Sequence, residues 1–498
     1  MNDPQLDEQH VPDILDTIAN LSSGIVFTSP KLANKMLDLL PPELWSDKSL
    51  RFLDPVAKTG VFLREIARRL MVGLESSFPD EAERRKHIFE NMVFGYAVDE
   101  ITGLMARRSL YYSKDASGPN SVHKFPSPDG NIQFTRLEHS YLRGRCRICG
   151  SPEGYLDRGD SLENFAYQFI HDKEIENMRF DVVVGNPPYQ LEAAGHGAQA
   201  TPIYQLFVEQ AFRLKPRYVA MVTPSRWFAG GMGLDSFRKR MLDSTNFRHL
   251  VDYPDGAELF PGTQIKGGVS YFLWDKNYEG PCRVVRVQKN VEGPATERYL
   301  GEHGDIFIRF NEALPILEKV LKADLPSIEE QISAINPFGL ATNFKDYEEA
   351  PSKGSVTLYS SNGIVYVDKS KIPMGLDMLD GWKVFTPKAG PGNDGYPHKI
   401  LGDPIVAAPN SACTMTYIVA GIFATEEEAQ NFAMYLKSKF ARFMVALRKN
   451  TQDVSRSKFK WVPKLSMTKL WTDAELFEKF EINDVEKVFI DTIVREIV

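Results

Sequence analysis

Asn186, Pro187, Pro188 and Tyr189 stand directly after the apolar run FDVVVG (180–185). The prolines fix φ and remove two donors, so the turn offers carbonyls without competing N–H groups. Proline also biases its predecessor toward extended geometry, so Asn186 and Pro187 are both expected to be extended. The Asn186 side chain adds a carbonyl on an amide that is always uncharged. Two acceptors held rigidly together suit an –NH2 group, which has two hydrogens to donate. The Tyr189 ring offers a flat face on which a planar base can stack. A strand terminator with a core tyrosine explains a Pro-Pro pair better than it explains all four residues after DVVVG.

Other polar residues follow other apolar runs. In FLDPVAKTGVFL, Asp54 ends a strand and Gly60 precedes a helix, a geometry that turns backbone N–H groups toward a polar ligand. A loop that only caps its helix is the plainer reading. No GK[ST] follows, which excludes a Walker A loop. GYAVDE ends in Asp99 and Glu100, where nucleotide-binding sheets place a ribose carboxylate and where either residue could instead cap a helix. Asp160, in RGDSLENF, lies shortly before FDVVVG. Cys146 and Cys149, in CRICG, are half a zinc motif, and His139 and His171 could complete a Cys2His2 set of structural role. Two unliganded thiols are the alternative. In SRWFAGG, Trp227 reads as core and Arg226 as a pocket candidate.

These residues need strands and helices to place them. LRFLDP, ENMVFGYAVD, FDVVVG, RYVAMVTPS, HLVDYP and GGVSYFLW read as strands, and helical patterns separate most of them. IVFTSPKLANKMLDLL reads as a turn and an amphipathic helix, with Ser29 as N-cap and Pro30 at the first helical position. Such alternation predicts an α/β fold, a parallel sheet buried on both faces, with ligands at the carboxyl ends of its strands. Residues 1–275 are expected to form this domain, with an insertion over about 113–157 that carries the CxxC. Residues 276–498 read as a second, α+β domain.

NPPY at 186–189 resembles the catalytic motif of S-adenosylmethionine-dependent amino-methyltransferases, above all the adenine-N6 DNA enzymes. Cofactor motifs first, catalytic motif next and recognition domain last is the gamma arrangement, and in detail the chain is similar to the Eco57I/TaqI-like restriction-modification methylases. The likeness covers about residues 20–275 with specific motifs. It implies a Rossmann-like methyltransferase sheet followed by a C-terminal target recognition domain. It implies Thr28, Asp54 and Gly60 near the methionine end of the cofactor, Asp160 on its adenine amine, and Phe260 against a flipped base. At the usual ribose position this chain has Ala97, leaving Asp99 as the nearby carboxylate, and Lys58 replaces a small residue.

The activity implied is methyl transfer to the N6 amine of adenine in a specific double-stranded DNA sequence, by base flipping, in a restriction-modification or phage-defence system. About two dozen residues precede the cofactor motif, so restriction is expected of a separate cognate endonuclease. Alternatives are an NPPY enzyme for RNA adenine or protein glutamine, or a DNA-binding subunit with impaired catalysis. Pro281-Cys282 follows the sixth strand and reads as structural rather than as a cytosine-C5 nucleophile.

Composition fits this reading. The 498 residues are 43% hydrophobic and 25% charged with a net charge of −7, which excludes a uniformly basic coat. Four cysteines predict a reducing cytoplasm, which the resemblance implies is prokaryotic and shared with the nucleoid, and no run approaches the ~18 apolar residues of a membrane span. Between Lys437 and Lys469 only Asp453 opposes a run of lysines and arginines, a candidate for phosphate contact, as is the loop around Lys388 and Asn393.

Overall fold

A computed structural model describes residues 26–153, 166–191, 201–263, 265–390, 397–449 and 452–497. It divides into two compact units, one of Met1–Trp227 with Gly231–Asp305 and one of Phe228–Gly230 with Ile306–Val498.

The first unit is built on a ten-stranded sheet. Its strands are β1 (Phe52–Ala57), β2 (Val93–Ala97), β3 (Ile132–Gln133), β6 (Val182–Gly185), β7 (Tyr218–Pro224), β8 (Phe247–Tyr253), β9 (Val269–Asp275), β10 (Cys282–Gln288), β11 (Val291–Glu292) and β12 (Thr296–Arg298). A separate hairpin pairs β4 (Tyr141–Leu142) with β5 (Arg145–Cys146). The sheet order is β11-β10-β8-β9-β7-β6-β1-β2-β3, with β12 pairing β10. Every residue of β1, β6 and β7 is buried, the signature of strands covered on both faces. Helices α1 (Pro30–Leu37), α2 (Val61–Gly73), α3 (Glu81–His87), α4 (Glu100–Tyr111), α5 (Gln168–His171), α6 (Tyr204–Arg213) and α7 (Asp235–Asp243) accompany the sheet. Ser29 caps α1 by accepting from the Leu32 N–H at 3.2 Å, with Pro30 at the first position, as the sequence predicts.

The sheet departs from the expected parallel pattern at β9. This strand runs antiparallel between β7 and β8. The connection from β8 holds no crossover helix, which a parallel return would need. The unit also runs past residue 275. Strand β10 pairs parallel with β8, Val284 opposite Leu250 and Val285 opposite Val251, and carries the sheet onward. Cys282, at the start of β10, is buried, and burial pushes its thiol well above the ordinary range.

Strand β1 lies between β6 and β2, parallel to both. The chain leaves β1 toward β2 on one side, and β6 arrives on the other. This reversal is the crevice where open α/β sheets bind ligands, outside the carboxyl ends of the strands.

The second unit mixes helices with two small sheets. One orders β14 (Gly363–Val367), β13 (Val356–Ser360) and β17 (Ser411–Cys413); the other orders β16 (Ile405–Ala407), β15 (Trp382–Pro387) and β18 (Tyr417–Phe423). Its helices are α8 (Leu314–Lys322), α9 (Glu426–Lys437), α10 (Lys439–Ala446), α11 (Asp473–Lys479) and α12 (Asp484–Ile493). The basic run is only partly a surface feature. Arg442 is 1% exposed and donates to the carbonyls of Lys437 at 2.9 Å and Arg495 at 2.6 Å. Arg448 is 2% exposed, donates to Ser457 O at 2.8 Å and lies over the Trp461 ring. Lys449 is buried too. Arg442 and Arg448 satisfy main-chain carbonyls that would otherwise be stranded at chain ends and turns. Arg456, Lys460, Lys464 and Lys469 remain exposed, and Lys469 pairs with Glu475 at 2.9 Å. Asn393 lies outside the described residues. No described helix is long and apolar enough to cross a membrane.

Candidate active site

A narrow cleft opens where β1 and β6 end. Thr28, Asp54, Val56, Lys58, Thr59, Gly60, Val61, Phe62 and Asn186 line it. Gly60 begins α2 with φ +73°, in the left-handed region. A Cβ there would meet the Ala106 backbone at 2.8 Å, so only glycine lets the loop turn against α4. Gly185 is confined less tightly: a Cβ there would lie 3.2 Å from Pro55 Cδ and 3.4 Å from Asp54 Oδ1. The two strand ends therefore approach closely enough to share one site.

Asn186 is 3% exposed. Its amide nitrogen donates to Thr28 Oγ1 at 3.1 Å and, more weakly, toward Val26 O at 3.4 Å. These bonds orient the side chain and leave Oδ1 buried with no partner among the described residues. A buried acceptor left open costs about 1–3 kcal/mol. Pro187 and Pro188 are buried behind it. Tyr189 keeps its ring partly exposed while its hydroxyl is buried and unpartnered among the described residues. Burial pushes that phenol well above its usual range, opposed by the Asn186 amide. Phe260, 4% exposed, meets the Tyr189 ring edge to face at 6.4 Å between centroids.

On the β1 side the cleft is charged. Asp54, 2% exposed, accepts from the Val56 N–H at 3.0 Å. Burial pushes its carboxyl up to about 7, against the opposing effects of that N–H and of Lys58. Lys58, 6% exposed, donates to Val26 O at 2.8 Å. Burial pulls its ammonium down to about 8, and Asp54 opposes this. A carboxylate and an ammonium thus face one small volume.

Of the residues singled out in the sequence, Thr28, Asp54, Gly60 and Asn186 line this cleft, and Tyr189 and Phe260 meet beside one another. Asp99 does not line it. Its carboxylate caps α4, accepting from the Thr102 N–H at 2.7 Å in a reciprocal capping box. Asp160 lies outside the described residues. Two participants were not assigned roles in advance: Lys58, visible only as a departure from small residues, and the Val26 carbonyl, which no side-chain pattern can reveal. Trp227 is fully buried against Phe237. Upstream of NPPY, Cys146 and Cys149 gather with His139 and His171, their four ligand atoms within 4.8 Å of one another.

Known proteins resemble this chain. The family model for Eco57I restriction-modification methylases matches residues 91–260, which run from β2 through NPPY to Phe260. An uncharacterised adenine-specific methylase of Mycoplasma pneumoniae is 34% identical over 319 residues, covering 57% of this chain and 75% of that protein. A nuclease-deletion mutant of the Type ISP restriction-modification enzyme LlaGI, solved with a DNA substrate mimic, shares the fold with a TM-score of 0.52 at 10% identity. That match covers 90% of this chain and 47% of the LlaGI chain, so the present chain spans about half its length.

Proposed function

The chain belongs to the adenine-specific methylases of restriction-modification type, and on that premise we propose that it methylates the N6 amine of an adenine flipped out of double-stranded DNA, with S-adenosylmethionine as donor. The observation that carries this reading is Asn186 Oδ1, a buried acceptor held open at the carboxyl end of β6.

The adenine amine is a poor nucleophile because its lone pair is delocalised into the ring. In this reading Asn186 Oδ1 and the Pro187 carbonyl accept its two hydrogens, and the lone pair is drawn out of conjugation toward the methyl group. Acceptors already in place stabilise the positive charge that develops on nitrogen without reorganising during the reaction. The transfer is a direct displacement, so alignment governs its rate. Tyr189 and Phe260 would hold the extruded base by ring contact.

The donor supplies a methyl group on a sulfonium, and its amino-acid end is a zwitterion. Asp54 and Lys58 match that end in charge: the carboxylate would take the ammonium and the lysine the carboxylate. Thr28 supports Asn186 through its amide rather than acting on the base. The exposed cations Arg456, Lys460 and Lys464 of the second unit would serve phosphate contact. A separate endonuclease, where one exists, would act on the same sites unmodified.

The test is incubation with methyl-labelled S-adenosylmethionine and duplex DNA, RNA or protein, beside Asn186→Ala. Label on DNA adenine that disappears in the variant supports the proposal. Label on RNA or on protein glutamine would move the substrate elsewhere while keeping the chemistry. Donor binding with transfer to none of the three would overturn it.

A further inference from the structure

We propose that His139, Cys146, Cys149 and His171 form a structural zinc site that holds the β4–β5 hairpin together and ties it to α5. The four ligand atoms lie within 4.8 Å of one another. Cys146 Sγ is 3.6 Å from His171 Nε2, and Cys149 Sγ is 3.4 Å from His139 Nδ1. A tetrahedral zinc with sulfur at ~2.3 Å and nitrogen at ~2.0 Å places neighbouring S and N ligands about 3.5 Å apart. Both observed edges match that length.

The surroundings are those of a ligand set. His171 Nδ1 lies 2.9 Å from the Tyr167 carbonyl, a bond that holds the proton on Nδ1 and turns the Nε2 lone pair toward Cys146. Cys146 Sγ accepts from the Ile148 N–H at 3.5 Å, and Gly150, at φ +75°, folds the chain back behind Cys149. Cys149 Sγ is 3.2 Å from Ser151 Oγ, a hydroxyl that can rotate to donate to a thiolate.

Two isolated S–H···N hydrogen bonds would account for the two short distances, but not for their convergence or for the lack of other buried side chains among the described residues of the hairpin. From Gln133 to Glu153 the buried residues are Cys146, Cys149 and Ser151 alone. Among the described residues the hairpin β4–β5 therefore has no apolar core, and a segment so small needs a metal or disulfide to hold its shape. The thiols are free, not bridged. His171 sits on α5, where the neighbouring Phe169 packs on Phe207 at 6.0 Å, so a metal would tie the hairpin to the sheet domain. Zinc is favoured by the two-thiolate, two-imidazole set.

The full-length protein, purified without chelators, should hold about one zinc per chain by elemental analysis. Cys149→Ser and His171→Ala should each lose it. Because either variant could misfold, the wild type is also stripped and loaded with cobalt. The intense visible bands of tetrahedral, thiolate-bound cobalt are expected, and adding zinc should bleach them. Absence of both zinc and the cobalt spectrum in the reduced wild type would overturn the site. So would undiminished zinc in Cys149→Ser.

Discussion

The loops that follow β1 and β6 leave neighbouring parallel strands into one cleft, yet they treat their polar groups in opposite ways. The β6 loop is neutral and incomplete: Asn186 Oδ1 and the Tyr189 hydroxyl are buried without partners among the described residues. The β1 end is charged and already engaged, with Asp54, inside the strand, on the Val56 N–H and Lys58, just past it, on Val26 O. The difference separates two tasks. A group that must respond to charge developing on a reacting atom works best when it is fixed and unoccupied beforehand. A group that binds an ionic ligand can begin engaged and exchange partners, provided charge is conserved on burial.

The largest effect should follow from filling or deleting the open acceptor. Asn186→Ala is expected to lower methyl transfer by about 10²–10³-fold or more, the usual range for one preorganised transition-state contact. Donor affinity should change little, because the charged loop is untouched. Equal losses in donor binding and in transfer would break the division between the loops. Lys58→Gly should act the other way, weakening donor binding by about tenfold, as for a lost charge-assisted bond, with the rate at saturation nearly preserved. Titration calorimetry and single-turnover kinetics separate the two quantities.

The charged loop also predicts a pH dependence that the neutral loop does not. Donor binding in this reading needs Asp54 ionised and Lys58 protonated. Asp54 is pushed up to about 7, so its ionised fraction, and with it affinity, rises as pH increases through that value. Lys58 is pulled down to about 8, so its charge, and the affinity, are lost as pH rises further. Affinity should peak between them, as for a coupled pair with two macroscopic steps. Asp54→Asn should erase the acid limb and leave only the fall. A wild-type binding curve flat across this range would detach the pair from the donor.

Much of this arrangement was legible before the fold, for physical reasons that also mark where legibility stops. Apolar runs announce buried strands, so β1, β6 and β7 stood out, and Asn186 follows β6 as expected, whereas β1 runs on past Asp54 to Ala57 because Pro55–Ala57 are buried too. Periodicity reports burial, however, and not direction, so VSYFLW did not declare that β9 runs antiparallel. CRVVRVQ was hidden by its two arginines, Arg283 exposed and Arg286 half-buried, although β8 draws it into the sheet. Charge is ambiguous in the same way. Arg442 and a phosphate-binding arginine are identical in sequence, and only burial against the carbonyls of Lys437 and Arg495 tells them apart. The capping box of Asp99 was an open alternative from GYAVDE onward, because a carboxylate before a helix serves a cap or a ribose equally well.

The smallest effect tests whether both open groups of the β6 loop are open for a reason. Tyr189 contributes a ring, in contact with Phe260, and a hydroxyl that lies near the Asn186 amide but makes no hydrogen bond of ordinary geometry among the described residues. If the ring alone holds the base, Tyr189→Phe removes only a buried, unsatisfied donor. Stability should then rise by about 1 kcal/mol in denaturant unfolding, because an unmade buried hydrogen bond is a cost that the phenyl ring lacks. Transfer should stay within about threefold of the wild type, since stacking needs no hydroxyl. Tyr189→Ala, by contrast, should raise the concentration of DNA needed for half-maximal rate, through loss of the ring. A large fall in transfer for Tyr189→Phe would place the hydroxyl beside Asn186 Oδ1 as a second polar contact to the reacting base. The β6 loop would then be incomplete at two atoms for one purpose, and the contrast with the self-satisfied β1 loop would become sharper.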